Sequence, residues 1–170
     1  MHDSADATDA RAQDKPSTQQ VIFCLRGTAF SLPVRVVRSV LRMPELHPLP
    51  QAPSYIKGLM TIRGRTLAVV DLAQRLSLPA AVPTPHSRIM IVRVCGLWVG
   101  LLVDHVEAVD VFPAERIQTV PTVLPVPVDH CAVSGIVQAD SHLVFLLDPG
   151  VVLSPLDMNG WRLAHESLPP

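Results

Sequence analysis

The chain has 170 residues, of which 48% are apolar and only 17% charged, and its net charge is −1 at neutral pH. A chain so near neutrality has no field to gather a polyanion, and one Tyr, two Trp and four Phe are too few for base-stacking platforms, so nucleic acid is not expected as a partner. Seventeen Pro, about twice ordinary usage, favour many short strands and turns over long helices, because Pro is excluded from helix interiors and central strands.

In chain order, residues 1–19 alternate small, acidic and amide residues and read as a disordered leader with no apolar segment for export or anchoring. The folded part opens with VIFCL from Val21, a turn at Arg26 and Gly27, and a partner strand TAFSLPV that tolerates Pro33 near its end. In VRVVRSVLR the Val residues favour extended backbone, yet Val34, Val37 and Leu41 also share a helical face, so both types stay open there. Four Pro among residues 43–53 make an extended loop.

Residues 53–72, PSYIKGLMTIRGRTLAVVDL, read as a strand from Leu59 to Arg63, a reversal at Gly64 and Arg65, and a strand from Thr66 to Val70. Asp71 followed three residues later by Gln74 has capping-box spacing, which predicts a short helix. Residues 79–87 form a link, after which RIMIVRV and LWVGLLV make a hairpin across Cys95 and Gly96. The largely apolar stretch 89–103, 15 residues long, is interrupted by Arg93 and falls short of the roughly 20 that a spanning helix needs. DHVEAVDVF, a second Pro-rich loop, a closing hairpin with its reversal at 139–141, and a short helix after Asp148 complete the body, with 154–170 as a tail in which Trp161 and Leu163 are expected to pack back.

The closing unit repeats the central one. At an offset of 77, Gly58 falls on Gly135, Val69 on Leu146, Val70 on Leu147, Asp71 on Asp148 and Leu76 on Leu153; at 69, Val37 falls on Val106, Val40 on Val109 and Pro44 on Pro113. Two blocks in the same order imply a duplicated β module, with one half at about 21–78 and the other at about 88–153.

Chemistry is harder to find. Asp71 and Asp148 at equivalent places suggest an aspartyl hydrolase, but neither sits in a DTG or DSG turn, and helix capping explains both. His2 and His165 lie in the tails, His47 and His86 in Pro-rich loops, and His105, His130 and His142 are spaced unlike zinc ligands. Cys24, Cys95 and Cys131 contain no CxxC pair and read as reduced cytosolic thiols, and nothing in the sequence brings Cys131 to His105 as nucleophile and base. No catalytic residue, metal or cofactor is therefore expected. Arg63 beside Gly64 reads either as a solvated turn residue or as an interface anchor with a rigid five-donor fork.

LPQAPSYIKGLMTIRGRTLAVVDLAQRL closely resembles the signature of the CheW family of chemotaxis coupling proteins, in which a Pro-bearing loop leads into I-K-G, N-L-R-G and V-P-V-I-D-L elements. The likeness runs from about Val21 to Leu153 and includes RIMIVRV, VGLLVDHVEAV with Asp104, and LVFLLDPGVVL. It implies an all-β fold with short helices, built as two five-stranded β-barrels on a shared apolar seam. It also implies a non-catalytic, cytoplasmic adaptor between the regulatory domain of the histidine kinase CheA and the cytoplasmic tips of methyl-accepting chemoreceptors, recruited to membrane-associated arrays without inserting into the membrane. In the family a receptor-facing groove between the barrels uses positions matching Val37, Gly58 and Arg63. Two departures, Ser39 where an acid is frequent and Thr61 for the usual Asn, fall in the same region, and Ala68 replaces a Pro. Ser39 bears on partner choice, which leaves room for a paralogue serving twitching motility or another chemosensory pathway.

Overall fold

The computed structural model describes residues 19–80, 82–120 and 132–153. The expected leader apart from Gln19, the 154–170 tail, and His2, His130, His165, Cys131, Trp161 and Leu163 lie outside them.

Ten strands dominate the described residues. β1 (Gln19–Leu25) and β2 (Thr28–Pro33) form the first hairpin, and a short 3-10 turn at Val34–Val36 leads into β3 (Val37–Arg42). The segment whose type the sequence leaves open is therefore turn and then strand. β4 (Ile56–Ile62) and β5 (Arg65–Asp71) follow, then one helical turn, α1 (Leu72–Arg75). The second half holds β6 (Arg88–Val94), β7 (Leu97–Val103), β8 (His105–Val111), β9 (Val133–Ala139), β10 (His142–Leu147) and α2 (Pro149–Val152).

The central reversal falls one residue earlier than its expected place at Gly64 and Arg65. Arg63 and Gly64 both have positive φ, 48° and 76°, as a two-residue hairpin turn of type I′ requires at both central positions. Arg65 consequently stays in the strand, opposite Ile62. Arg26–Gly27 and Cys95–Gly96 adopt the same pair of positive φ values at the predicted turns.

The strands form two five-stranded sheets, ordered β8-β1-β2-β10-β9 and β3-β6-β7-β5-β4. This corrects the expectation that each consecutive half builds its own unit. Each sheet takes strands from both halves, joined by one parallel pair, β2 with β10 and β5 with β7, and by one antiparallel pair across the halves, β1 with β8 and β3 with β6. The duplication holds nonetheless: replacing each strand by its counterpart in the other half converts one strand order into the other.

Neither sheet is a closed barrel, which corrects the second expectation. Among the described residues no ladder joins edge strand β8 to β9 or β3 to β4. Single bridges span the gaps instead, His47 to Leu59 and Gln118 to Ile136. Leu59 and Ile136 are 77 residues apart, the repeat offset, so the two gaps are spanned in the same way.

Period-two burial sorts the apolar residues into three clusters. Phe23, Phe30 and Leu32 from one sheet meet Val70, Met90, Val92 and Leu101 from the other in a shared seam, to which Leu72, Leu76, Val152 and Leu153 of the helical turns and their ends add. The opposite faces enclose separate clusters, Ile22, Val137, Val144 and Leu146 in one sheet and Met60, Val69, Ile89 and Leu102 in the other. The apolar seam implied by the family resemblance is thus present. No helix among the described residues is long and apolar enough to cross a membrane.

Candidate functional site

The two Asp residues of the repeat are helix caps. The Asp71 carboxylate accepts from the Gln74 amide at 3.2 Å, and Asp148 accepts from the Gly150 amide at 2.9 Å. Asp71 is also fully buried, with Lys57 Nζ 3.6 Å away. Amide and ammonium partners keep such carboxylates in structural service. Asp104 likewise holds the fold: its carboxylate accepts from the Arg26 amide at 2.6 Å and faces the Arg26 guanidinium at 3.3 Å, which pins the first hairpin turn.

The open end of the second sheet is different. Strand alternation sends Ile89, Ile91 and Arg93 of β6 to the inner face, and the Arg93–Trp98 register across the Cys95–Gly96 turn sets Trp98 beside Arg93. Trp98 has three guanidinium groups around its ring, from Arg65 at 4.9 Å, Arg93 at 5.8 Å and Arg38 at 6.0 Å. Arg63 and Ser39 join Arg38, Arg65 and Trp98 on the wall of a cavity of about 340 Å³, whose floor is apolar. Among the described residues no carboxylate forms an ion pair with any of these four arginines. The mouth therefore offers a half-buried aromatic floor, a fan of exposed donors and a positive field. An aromatic surface with guanidinium groups over it suits a carboxylate-bearing side chain flanked by apolar ones.

The five residues expected at the receptor site share this sheet but do not converge. Ser39 and Arg63 line the mouth. Val37, half-buried, packs against the shared seam. Gly58 is buried within β4 at φ +147°, and a Cβ there would stand 2.6 Å from the His47 carbonyl oxygen, so its place is fixed by the bridge that spans the sheet's gap. Thr61 points to the other face of β4, its hydroxyl 3.4 Å from that of Thr66. A separate cleft of about 490 Å³ between the edge strands β3 and β8 is bounded by Val40, His86, Arg88, His105 and Val106, and none of the five lines it. Trp98 and the arginines around it, Arg38, Arg65 and Arg93, are what sequence reasoning missed. Pairing Arg93 with Trp98 across a two-residue turn was the signal available for that pair.

Comparison with known proteins follows this geometry. Residues 19–156 match the model of the CheW-like domain. Protein FrzA of Myxococcus xanthus is 35% identical over 134 residues, covering 77% of this chain and 81% of FrzA. The chemotaxis protein CheW of Bacillus subtilis is 27% identical over 84% of this chain and 90% of its own length. Among solved structures, the scaffolding protein TtCheW of Thermoanaerobacter tengcongensis superimposes with a TM-score of 0.75 at 26% identity, over 84% of this chain and 95% of TtCheW. With the family model matched across the whole described body and the interleaved sheets shared with a solved relative, the chain belongs to the CheW-like family.

Proposed function

We propose that this chain is a cytoplasmic, non-catalytic adaptor that holds the regulatory domain of a CheA-type histidine kinase and the cytoplasmic tip of a methyl-accepting chemoreceptor in one membrane-associated array. Family membership supports the scaffold role, since CheW-like proteins act as scaffolds in chemosensory signalling and not as enzymes. The observation that carries the receptor side is the mouth in which Arg63 and Ser39 meet Trp98, Arg38 and Arg65. Desolvated Arg and Trp side chains concentrate binding energy at protein interfaces, and this mouth supplies both without internal carboxylates to neutralise them.

In this reading Arg63 and Ser39 touch the receptor directly, while Val37, Gly58 and Thr61 shape the sheet edges that present them. The hydrolase alternative loses its support, because Asp71 and Asp148 are each engaged at the start of their own helix. A second reading is a paralogue of the same class with an altered receptor. Ser39, which removes a frequent acid from a mouth already holding four arginines, favours it, as does the similarity to FrzA. Mixing the purified chain with a CheA regulatory domain and a receptor cytoplasmic fragment should give complexes that sediment together. A chain that sediments with neither partner ends the proposal; binding to the kinase domain but not to the receptor fragments of one pathway selects the second reading.

A further inference from the structure

The open end of the first sheet gathers a different set of side chains. Cys24 lies near the end of β1 and His105 begins β8, and the two are direct cross-strand partners. Glu107 follows two residues on and shares their face of β8. The Cys24 sulfur, a His105 ring nitrogen and a Glu107 carboxylate oxygen all lie within 4.8 Å of one another. His105 Nε2 stands 3.5 Å from Glu107 Oε1, and His142, at the start of β10, brings its Nε2 to 3.9 Å from Glu107 Oε2. Three strands thus deliver one thiol, two imidazoles and one carboxylate to a single rim.

We propose that Cys24, His105, Glu107 and His142 form a binding site for a divalent cation of the zinc class. Bonds of about 2.3 Å to sulfur and about 2.0–2.1 Å to nitrogen or oxygen put neighbouring ligand atoms of a tetrahedral site roughly 3.3–3.6 Å apart. The His105–Glu107 separation of 3.5 Å already meets that, both groups lie within 4.8 Å of the buried sulfur, and the exposed His142 side chain, 3.9 Å from Glu107, would rotate inward to complete the set. A thiolate with imidazoles selects zinc-class ions over magnesium and calcium, which prefer all-oxygen shells. The Gly27 amide, which hydrogen-bonds to the Cys24 sulfur, adds a donor to the metal-bound thiolate. Binding releases the thiol proton and replaces it with the ion. An ion here ties edge strand β8 to β1 and, through His142, to β10. It leaves the arginine-lined mouth of the other sheet untouched, so the site stands or falls apart from the adaptor role.

Cobalt(II) is the probe, because a cobalt–thiolate bond gives a sulfur-to-metal charge-transfer band in the near ultraviolet. Titrated into untagged full-length chain stripped with chelator, cobalt(II) should produce that band with an end point of one equivalent, and zinc(II) should abolish it by displacement. Cys24→Ser should lose the band while Cys95→Ser keeps it. His105→Ala and His142→Ala, both at exposed positions, should weaken cobalt binding at least tenfold with the far-ultraviolet dichroism unchanged. Bound zinc(II) should also slow alkylation of Cys24 more than tenfold. Absence of a stoichiometric band overturns the proposal, and so does a band that survives Cys24→Ser or is indifferent to both His substitutions.

Discussion

The two sheet mouths occupy equivalent slots of a duplicated frame and carry opposite chemistry. At an offset of 69, Cys24 corresponds to Arg93, Ala29 to Trp98 and Glu107 to Arg38; at 77, His142 corresponds to Arg65 and Asp140 to Arg63. The registers agree, with Cys24 opposite Ala29 as Arg93 is opposite Trp98, and His142 opposite Ala139 as Arg65 is opposite Ile62. One mouth is a set of cations around an aromatic ring, and the other gathers a thiol, two imidazoles and a carboxylate. Backbone pairing was copied with the module, whereas the exposed rim side chains, such as Arg38 and Glu107 or Arg65 and His142, were free to diverge. The frame is therefore symmetric and the two ends are specialised.

The strongest way to break this symmetry is at the bridges spanning the two gaps. A Cβ on Gly58 would meet the His47 carbonyl oxygen at 2.6 Å with φ at +147°, whereas one on Gly135 would meet the Ile117 Cγ2 methyl at 2.7 Å and the Gln118 carbonyl oxygen at 3.2 Å. Backbone oxygen yields less than a side-chain methyl, and only Gly58 adds conformational strain. Gly58→Ala should cost about 3 kcal/mol and Gly135→Ala about 1–2 kcal/mol, read from urea midpoints at unchanged slope. Equal losses would make the two bridges interchangeable. For the same reason Gly58 substitutions report on folding before they report on receptor binding.

The caps divide less sharply. Asp71 is fully buried and paired with Lys57 as well as with the Gln74 amide, whereas Asp148 is exposed and serves only amides of its own helix among the described contacts. Asp71→Ala should lose about 2 kcal/mol and Asp148→Ala about 1 kcal/mol in the same assay, the excess at Asp71 coming from Lys57 and the half-buried Gln74 amide left without its partner. If Asp148→Ala proves the more costly, the seam is anchored from the first sheet instead.

At the arginine mouth, binding should change before stability does. Trp98→Ala removes the ring against which Arg38, Arg65 and Arg93 lie and should weaken receptor-fragment binding at least tenfold, about 1.4 kcal/mol. Arg63→Ala should weaken it several-fold while altering stability by less than about 0.5 kcal/mol, as expected for an exposed turn side chain. A drop of several degrees in the melting midpoint of Arg63→Ala would identify Arg63 as structural. The matching change in the other mouth, Asp140→Ala, should leave receptor binding unaltered.

How far these features are legible in the chain follows from their range. Hairpins are written locally: a two-residue turn of type I′ needs positive φ at both positions, and Arg26–Gly27 and Cys95–Gly96 mark it without outside help. Arg63–Gly64 misled by one residue, because Gly64 also reads as the first turn position with Arg65 second. Caps are equally local. Strand exchange between the halves is not, since a period of two names a strand's faces but never its neighbour. The Cys24–His105 pair is invisible for that reason: 81 residues separate two groups that only the β1–β8 ladder makes adjacent. Ser39 and Arg63 were recognisable through the family signature, yet their meeting depends on both edges of one sheet curling toward Trp98, which no motif encodes.

The smallest expected effect belongs to the metal-ligating mouth. Burial pushes the Cys24 thiol above its ordinary pKa, with Asp104 and Glu107 acting in the same direction and the Gly27 amide and Arg26 opposing them. As pH rises, the unfolded chain releases this proton first while the native chain still holds it. The contribution to stability is thus complete below the ordinary thiol value and is lost as pH climbs through the raised one. In chelator-treated protein the urea midpoint should therefore fall across that alkaline range, and the fall should be smaller in Cys24→Ser, which has no proton to release there. Arg93, in the equivalent slot, has no thiol to titrate, so removing it should leave the slope of the pH profile as it is. A Cys24→Ser profile parallel to that of the parent chain would mean that the alkaline loss arises elsewhere, and that burial at this rim does not hold the thiol in its neutral form.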